Sequence, residues 1–506
     1  MIKNLSKLLI IIILLGALVR LINLNQPLLE GASTRQVETA MIARNFYNHG
    51  FKLFYPQIDI FGNDPGYLMQ EFYFIPFIAA LFYKLLGGVN EWVLRLISVF
   101  FYVLATFMIY KLASYYFNKK TGIVSALCFT ISPLSIYLGR AVHPEMAIAF
   151  FNIATIYSFT RWVERRSWFY GMSTAASFTM AVLLKIPNLY LAAPLLFIGL
   201  FSSDKSIFKR GQFWSLSAIS FITIVIFNLH QYAVRAAYPN PAMENFDLTT
   251  ILNYIKFYLT GQEFYKKVFE DLVTYTLTPI GFTIFILGLS MRLESRKEWL
   301  FYVWLSAVGL FFLVMPAQCM QGYYQMHILP IASIIIARTV CHFSEAESLK
   351  DMFFRNKMFG FIFLSFLFLV VLRHSYTYYR IPENFKYVVE TGRAVDQLTE
   401  RDALVIASIE NSPDLVYYSD RKGWPFTIDL ETKRRLDLLQ GEDVTGRTYD
   451  PIIYVEQLRT EGASYFASAS MSEFLGHEKF SKYMRENYKA VKETPHFIIF
   501  ELRKTR

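Results

Sequence analysis

Glu71-Phe-Tyr-Phe-Ile-Pro-Phe-Ile-Ala-Ala-Leu-Phe-Tyr-Lys-Leu-Leu-Gly-Gly88 decides on which side of a membrane every later segment lies. Its clean apolar core, residues 72–82, makes a helix only about 16 Å long at ~1.5 Å per residue, against ~30 Å of bilayer hydrocarbon. It is too short to span and reads as a dip into the interface. Were it a span, Lys119-Lys120, Arg165-Arg166, Lys209-Arg210 and Arg296-Lys297 would all lie outside. As a dip it leaves all four pairs on the cytoplasmic side, as the positive-inside rule requires.

Outward from it, residues 8–372 carry about eleven apolar stretches separated by short polar connections. The fold class expected is therefore a polytopic α-helical membrane protein. Composition agrees: 506 residues, 54% hydrophobic, 48 Phe and 33 Tyr, with a mean hydropathy of +0.32. The net charge of +10 is spread over connections, without the clustered stripe that nucleic acid demands, so no nucleic-acid partner is expected. Cys128, Cys319 and Cys341 are too scattered for a disulfide framework.

The first helix, roughly residues 5–24, follows Lys3 and Lys7 and lacks a small-residue cleavage site, so it is expected to stay in place with its N-terminus cytoplasmic. Further spans are expected near 96–115, 122–139, 145–163, 168–186, 188–202, 212–230, 277–291, 299–315, 324–340 and 357–374. External loops are then 25–95, around 140–144, around 186–187, 231–276 and 316–323. Residues 1–379 form the membrane domain, including loop 25–95. Residues 380–506 read as an external soluble α/β domain, with strands over Ala403-Leu-Val-Ile-Ala-Ser408, Leu415-Val-Tyr-Tyr-Ser419, Ser464-Tyr-Phe-Ala-Ser468 and His496-Phe-Ile-Ile-Phe-Glu501. No repeat relates the two halves of the chain, which weighs against transporters built from inverted repeats.

The first external loop, about seventy residues dense in acids, bases and aromatics, is longer than a bundle needs. Within it, Ser33-Thr-Arg35-Gln-Val-Glu38-Thr-Ala-Met-Ile-Ala-Arg44-Asn-Phe-Tyr47 has helical periodicity and is expected to lie along the membrane surface with a polar face toward a cavity.

The order of a first membrane helix, this Thr-Arg-Gln…Ile-Ala-Arg-Asn-Phe helix, Glu71-Phe72 opening an apolar dip, Asn90-Glu-Trp-Val-Leu-Arg95-Leu-Ile-Ser98, and Ser132-Pro…Gly139-Arg140…Pro144-Glu145 resembles the GT-C glycosyltransferases. The similarity is to the branch related to protein O-mannosyltransferases and the lipid A aminoarabinose transferase. Lys185 before Pro187, Tyr323-Tyr324-Gln-Met-His327 with Pro330, and an external C-terminal domain continue it along the chain. The resemblance implies inverting transfer of a sugar from a polyprenyl-phosphate carrier to a lipid, glycan or protein acceptor at the external face of a plasma (bacterial inner) membrane. It also implies an acidic pair where this chain has Arg35-Gln36, and a lysine where it has Phe72.

Displacement at an anomeric carbon needs a carboxylate to take the acceptor proton. Glu38, Glu71 and Glu145 are the acids placed for an external cavity, Glu38 first because it sits one turn after Arg35. An ordinary i,i+3 ion pair is the plainer reading of Arg35 and Glu38. Arg140, His143 and Glu145 share one very short connection, where Arg140 could hold a phosphate and Glu145 equally suits the first turn of a helix. Lys185 ends a span with no other charge nearby and can compensate a phosphate leaving group. Tyr324 and His327 are candidate sugar or phosphate contacts, although a tyrosine also suits an interfacial belt. No cofactor is assigned. A divalent metal is left open, since acids and His143 could gather one but no ligand spacing marks it. The rival class is a membrane transporter or lipid flippase, and a third is a non-catalytic scaffold.

Overall fold

The computed structural model describes residues 2–202, 205–239, 248–344, 366, 369–429 and 449–503. Contacts divide the chain into two units. One comprises Met1–Leu24, Arg95–Gln231 and Phe246–Tyr378, the other Asn25–Leu94, Tyr232–Asn245 and Tyr379–Arg506.

The first unit is helical, and its breaks follow local sequence. Helix Lys119–Ile131 is capped by Asn118, whose side chain accepts from the Thr121 amide. It ends at Ser132-Pro133, because proline cannot continue the hydrogen-bond ladder, and a short helix, Pro133–Leu138, restarts there. The expected span 122–139 is thus broken. Glu145–Arg165 and Trp168–Leu184 pack against each other as a helical hairpin turned by Arg166, which takes a left-handed φ of 53°. A further break at Lys185-Ile-Pro187 separates Trp168–Leu184 from a 3₁₀ turn, Ile186–Leu191, and the helix Ala192–Phe201.

Among the described residues, Glu91–Tyr116, Gly211–Ala237 and Arg296–Val314 are long and apolar enough to cross a membrane, and Gln262–Thr276 with Thr278–Ser290 forms a pair bent by 106°. Phe221, Ile226 and Leu229 on Gly211–Ala237 are more than 60% exposed, a surface that suits lipid rather than water. The expected loop 231–276 is largely helical where described: Leu248–Thr260, Gln262–Asp271 and a π-turn, Leu272–Thr276, precede Thr278 at φ 62°. The Gln325 amide holds this bend, accepting from Thr276 Oγ1 at 2.7 Å and donating to the Val268 carbonyl at 2.7 Å. Most of the expected span 357–374 lies outside the described residues.

The second unit joins the first long loop to the C-terminal segment. The loop was expected to group with the membrane helices, but buried polar bonds tie it to residues 379–506. Helix Ser33–Asn48 is buried along most of its length within this unit, and its incompletely buried positions include the polar Thr34, Arg35 and Glu38. Its Arg44 bonds Asp59 at 3.0 Å, Asp420 at 2.9 Å and the Tyr417 carbonyl at 2.8 Å. The stretch after Glu71 forms a short helix, Phe74–Leu86, closed by Gly87 at φ 77°. At 13 residues it is about 20 Å long.

A five-stranded sheet runs in the order β2-β1-β3-β5-β4, with β1 Leu404–Ser408, β2 Lys422–Phe426, β3 Ala463–Ser468, β4 Lys489–Glu493 and β5 Ile498–Glu501. β1 pairs in parallel with β2 and β3, while β5 is antiparallel to β3 and β4. Ile406, Phe426, Phe466, Phe474 and Phe500 form its core. The expected strand 415–419 is instead the helix Asp414–Ser419. Pro413 and Asp414 start it, and these start signals override the β-propensity of Val416, Tyr417 and Tyr418. Edge strand β2 is covered by the first loop: Gly62 donates to the Gly423 carbonyl and Gly423 donates to that of Asp59, both at 2.9 Å. Gly62 has φ 57°, and a Cβ there would overlap the Trp424 indole. Gly62→Ala is therefore expected to cost about 1–3 kcal/mol through strain and overpacking, read as a lower thermal midpoint. An unchanged midpoint would mean that the loop does not seal this edge.

Candidate functional site

The sequence-derived candidates gather into two clusters, one in each unit. In the helical unit the hairpin register brings Glu145, the first residue of one helix, to Lys185, which ends the next. The 21 residues of the first helix and the 17 of the second nearly match in length. Lys185 Nζ bonds Glu145 Oε1, and His143 Nδ1 lies 3.0 Å from Glu145 Oε2. Glu145 and His143 are 1% exposed and Lys185 9%, so this pair is withdrawn from water. The Lys185 ammonium also sits 3.9 Å from the Tyr324 ring centroid and 4.9 Å from that of Tyr323, a cation held over two aromatic faces. His143 packs beside Tyr323, with ring centroids 5.0 Å apart.

A ring of residues not singled out in the sequence completes the cluster. Asn188 donates to the carbonyls of Ala181 and Lys185 at 2.9 Å each, capping the helix that ends at Lys185 and fixing the lysine backbone. Asn152 donates to Asn188 at 2.8 Å and to the Tyr190 hydroxyl at 2.9 Å, and that hydroxyl meets His327 Nδ1 at 3.0 Å. His327 thus joins the cluster through Tyr190. Among the described residues, Asn152 Oδ1, His143 Nε2 and His327 Nε2 are buried without a protein partner, three polar atoms that a ligand could reach. An amide in the middle of an apolar helix was the legible sign of Asn152. Arg140 serves differently: its guanidinium is buried and donates to the carbonyls of Tyr378 at 2.9 Å and of Ile22 and Asn23 at 3.4 and 3.3 Å. These three bonds tie distant segments of the helical unit together.

In the second unit, Arg35 bridges two acids. Its Nη2 lies 2.5 Å from Glu71 Oε2, and its Nη1 3.6 Å from Glu38 Oε2. Glu71 is therefore the tighter partner, and the i,i+3 contact with Glu38 is loose. Burial raises the Glu38 carboxyl above its ordinary value, with Arg35 pulling the other way and Glu71 adding to the rise. Glu38 keeps 22% side-chain exposure. At the start of the same helix, Ser33 donates to Asp414 at 3.0 Å, and Ser412 also bonds that carboxylate. Burial pushes Asp414 up to about 7. Among the described residues, no group of three His, Cys, Asp or Glu gathers as a metal site.

A family profile described as dolichyl-phosphate-mannose-protein mannosyltransferase matches residues 73–229, which include Arg140, His143, Glu145 and Lys185. No curated protein matches by sequence. Several solved structures are similar over nearly the whole chain. ArnT from Cupriavidus metallidurans bound to undecaprenyl phosphate aligns with TM-score 0.63 and 14% identity, covering 97% of each chain. The Archaeoglobus fulgidus oligosaccharyltransferase complex with Zn and sulfate aligns at 0.60 and 12%, covering 97% of this chain and 73% of that one. Arabinofuranosyltransferase AftD from Mycobacteria aligns at 0.54 and 14%, covering 98% and 40%. The chain thus has the helical GT-C fold of a multi-pass membrane protein, and the resemblance read from its motifs is borne out.

Proposed function

We propose that this GT-C chain is an inverting glycosyltransferase that moves a sugar from a polyprenyl-phosphate carrier to an acceptor at the external face of the membrane. The observation that carries the reading is the buried Glu145–Lys185 pair beneath Tyr323 and Tyr324, inside the stretch that matches the mannosyltransferase profile. A buried cation flanked by unpartnered polar atoms suits an anionic, hydroxyl-bearing ligand better than it suits lipid. The undecaprenyl phosphate bound by ArnT supplies the anionic part of such a ligand, and the sugar of a loaded carrier would supply the hydroxyls.

In the proposed step an acceptor oxygen attacks the anomeric carbon as the bond from that carbon to the phosphate oxygen breaks. The phosphate keeps the electron pair and leaves on the lipid. Lys185 compensates the charge that builds on it, Glu145 and the tyrosine rings hold the ammonium in place, and a carboxylate removes the acceptor proton. Glu38 is the first choice for that base, because burial brings its carboxyl closer to the working pH. Glu71 is so tightly bound to Arg35 that its part is to set that arginine. His143, Tyr324 and His327 are proposed as donor contacts. Screening synthetic lipid-linked sugars with purified protein and determining the anomeric configuration of the product tests the reading: inversion is expected, and retention would contradict single displacement.

The proposed architecture has about eleven spans, with the N-terminus cytoplasmic and the C-terminal α/β domain external. It predicts that a cysteine at Lys119, in a version lacking the native cysteines, is shielded from an impermeant thiol reagent in intact cells and labelled after permeabilisation. Labelling in intact cells would invert the orientation.

A further inference from the structure

A cavity in the helical unit has no part in the proposed reaction. It measures about 340 Å³ and lies where four helix ends meet: Tyr115 and Tyr116, Thr160 to Glu164, Phe197 to Ser202, and the Arg296-Lys297 turn. That volume is at the lower end of the range for sites that hold small ligands, ~300–1,000 Å³. Two sides of its chemistry are distinct. Arg296 and Lys297 are exposed and have no carboxylate partner among the described residues. Phe197, Ile198 and Phe201 form an apolar wall, and Phe201 and the neighbouring Leu200 are 58% and 54% exposed at its rim.

The acid in the lining does not cancel this positive charge. Glu164 is taken by Arg161 at 2.9 Å and by the Tyr115 hydroxyl, while Tyr116 is turned to Thr160 at 2.9 Å. The Lys297 ammonium lies 5.9 Å from the Tyr115 ring centroid, near the mouth of the cavity. Orientation in the membrane needs basic residues at this level but not a cavity, and Lys119-Lys120 is a basic pair outside the lining of this one. An anion-binding mouth opening onto an exposed apolar rim matches a molecule with a phosphate at one end and hydrocarbon at the other.

We propose that this cavity binds the headgroup of an anionic phospholipid, with the phosphate on Arg296 and Lys297 and an acyl chain along Phe197 and Phe201. The occupant is a membrane lipid and not a soluble phosphate, because the apolar wall and rim have no counterpart in a free anion. The shared wall of the Glu91–Tyr116, Glu145–Arg165 and Ala192–Phe201 helices makes it a lipid clamp on the side of the bundle that carries the basic pairs.

Binding of a fluorescent phosphatidylglycerol to the full chain in neutral detergent micelles tests this. Saturable binding is expected, displaced by unlabelled phosphatidylglycerol but not by phosphatidylcholine or glycerol phosphate. Arg296→Gln with Lys297→Gln should weaken it about tenfold or more, and Lys119→Gln with Lys120→Gln by less than about twofold. Ser202→Trp, which fills the cavity and keeps the charge, should weaken it as strongly. Arg296→Lys with Lys297→Arg should retain it, which separates loss of the site from loss of the fold. Equal loss in both basic-pair variants would reveal diffuse surface charge and overturn the proposal. Displacement by glycerol phosphate as effective as by the lipid, or undiminished binding in the Arg296/Lys297 variant, would also overturn it.

Discussion

Lys185→Met is expected to lower kcat/KM for a lipid-linked sugar by tenfold or more and to destabilise the protein as well. A charge-assisted bond to the donor phosphate contributes ~1.5–3 kcal/mol, which sets the kinetic loss. The stability loss has another source: the substitution strands Glu145, which is 1% exposed. Removing one partner of a buried ion pair commonly costs ~3–5 kcal/mol. The two effects separate in the double variant Lys185→Met with Glu145→Gln, which removes both charges. Its thermal midpoint should recover most of the loss while donor turnover stays low. If turnover recovers together with stability, Lys185 is a structural partner of Glu145 and the phosphate is held elsewhere. Arg140→Met should mainly destabilise, since that guanidinium holds backbone carbonyls from two distant segments.

Glu38→Gln is expected to reduce turnover by ~10²–10⁴, the usual range for loss of a positioned general base, with little change in stability. Its ion pair is long and its side chain 22% exposed, so the glutamine strands no buried charge. The pH profile supplies a second readout. The base must be ionised, and burial raises the Glu38 carboxyl above 4.5. Activity should therefore be full above the raised value and fall as pH drops through it, and this acid limb should vanish from the residual activity of Glu38→Gln. Glu71→Gln should instead free Arg35 and lower stability. Near-normal turnover in Glu38→Gln, with loss in Glu71→Gln or Glu145→Gln, would reassign the base.

Sequence reading succeeded where a local pattern determines the outcome. The shortness of the stretch after Glu71 follows from its own apolar length and a terminal glycine, and the helix over residues 33–48 from its periodicity. His143 and Glu145, noted in the sequence only for sharing one short connection with Arg140, lie 3.0 Å apart. What escaped depends on register between distant segments. Lys185 meets Glu145 only because two helices of similar length fold back across Arg166, forty residues apart in the chain. Arg35 chooses Glu71 over the nearer Glu38 for the same kind of reason: tertiary packing supplies a partner that helical spacing cannot rank.

The grouping of the long loop with the C-terminal sheet was also hidden. Arg44 reads as one more polar residue on a helix until Asp59, Asp420 and the Tyr417 carbonyl converge on it. Leu415-Val-Tyr-Tyr-Ser419 failed through a competing signal, since its strand-like residues follow the helix start Pro413-Asp414. Asn152 and Tyr190 were passed over because apolar neighbours dominate their helices, although their bonds complete the ring around Lys185.

The most direct test of the account follows the fate of a carrier labelled in both its lipid and its sugar, given to the purified protein with acceptor-containing membrane extract, in detergent and in sealed proteoliposomes. The account predicts release of polyprenyl phosphate matched by sugar appearing on an acceptor, in both preparations, because bond cleavage needs no closed compartment. Movement of the intact labelled carrier across sealed vesicles, with no polyprenyl phosphate released in either preparation, would contradict it and identify the chain as a transporter.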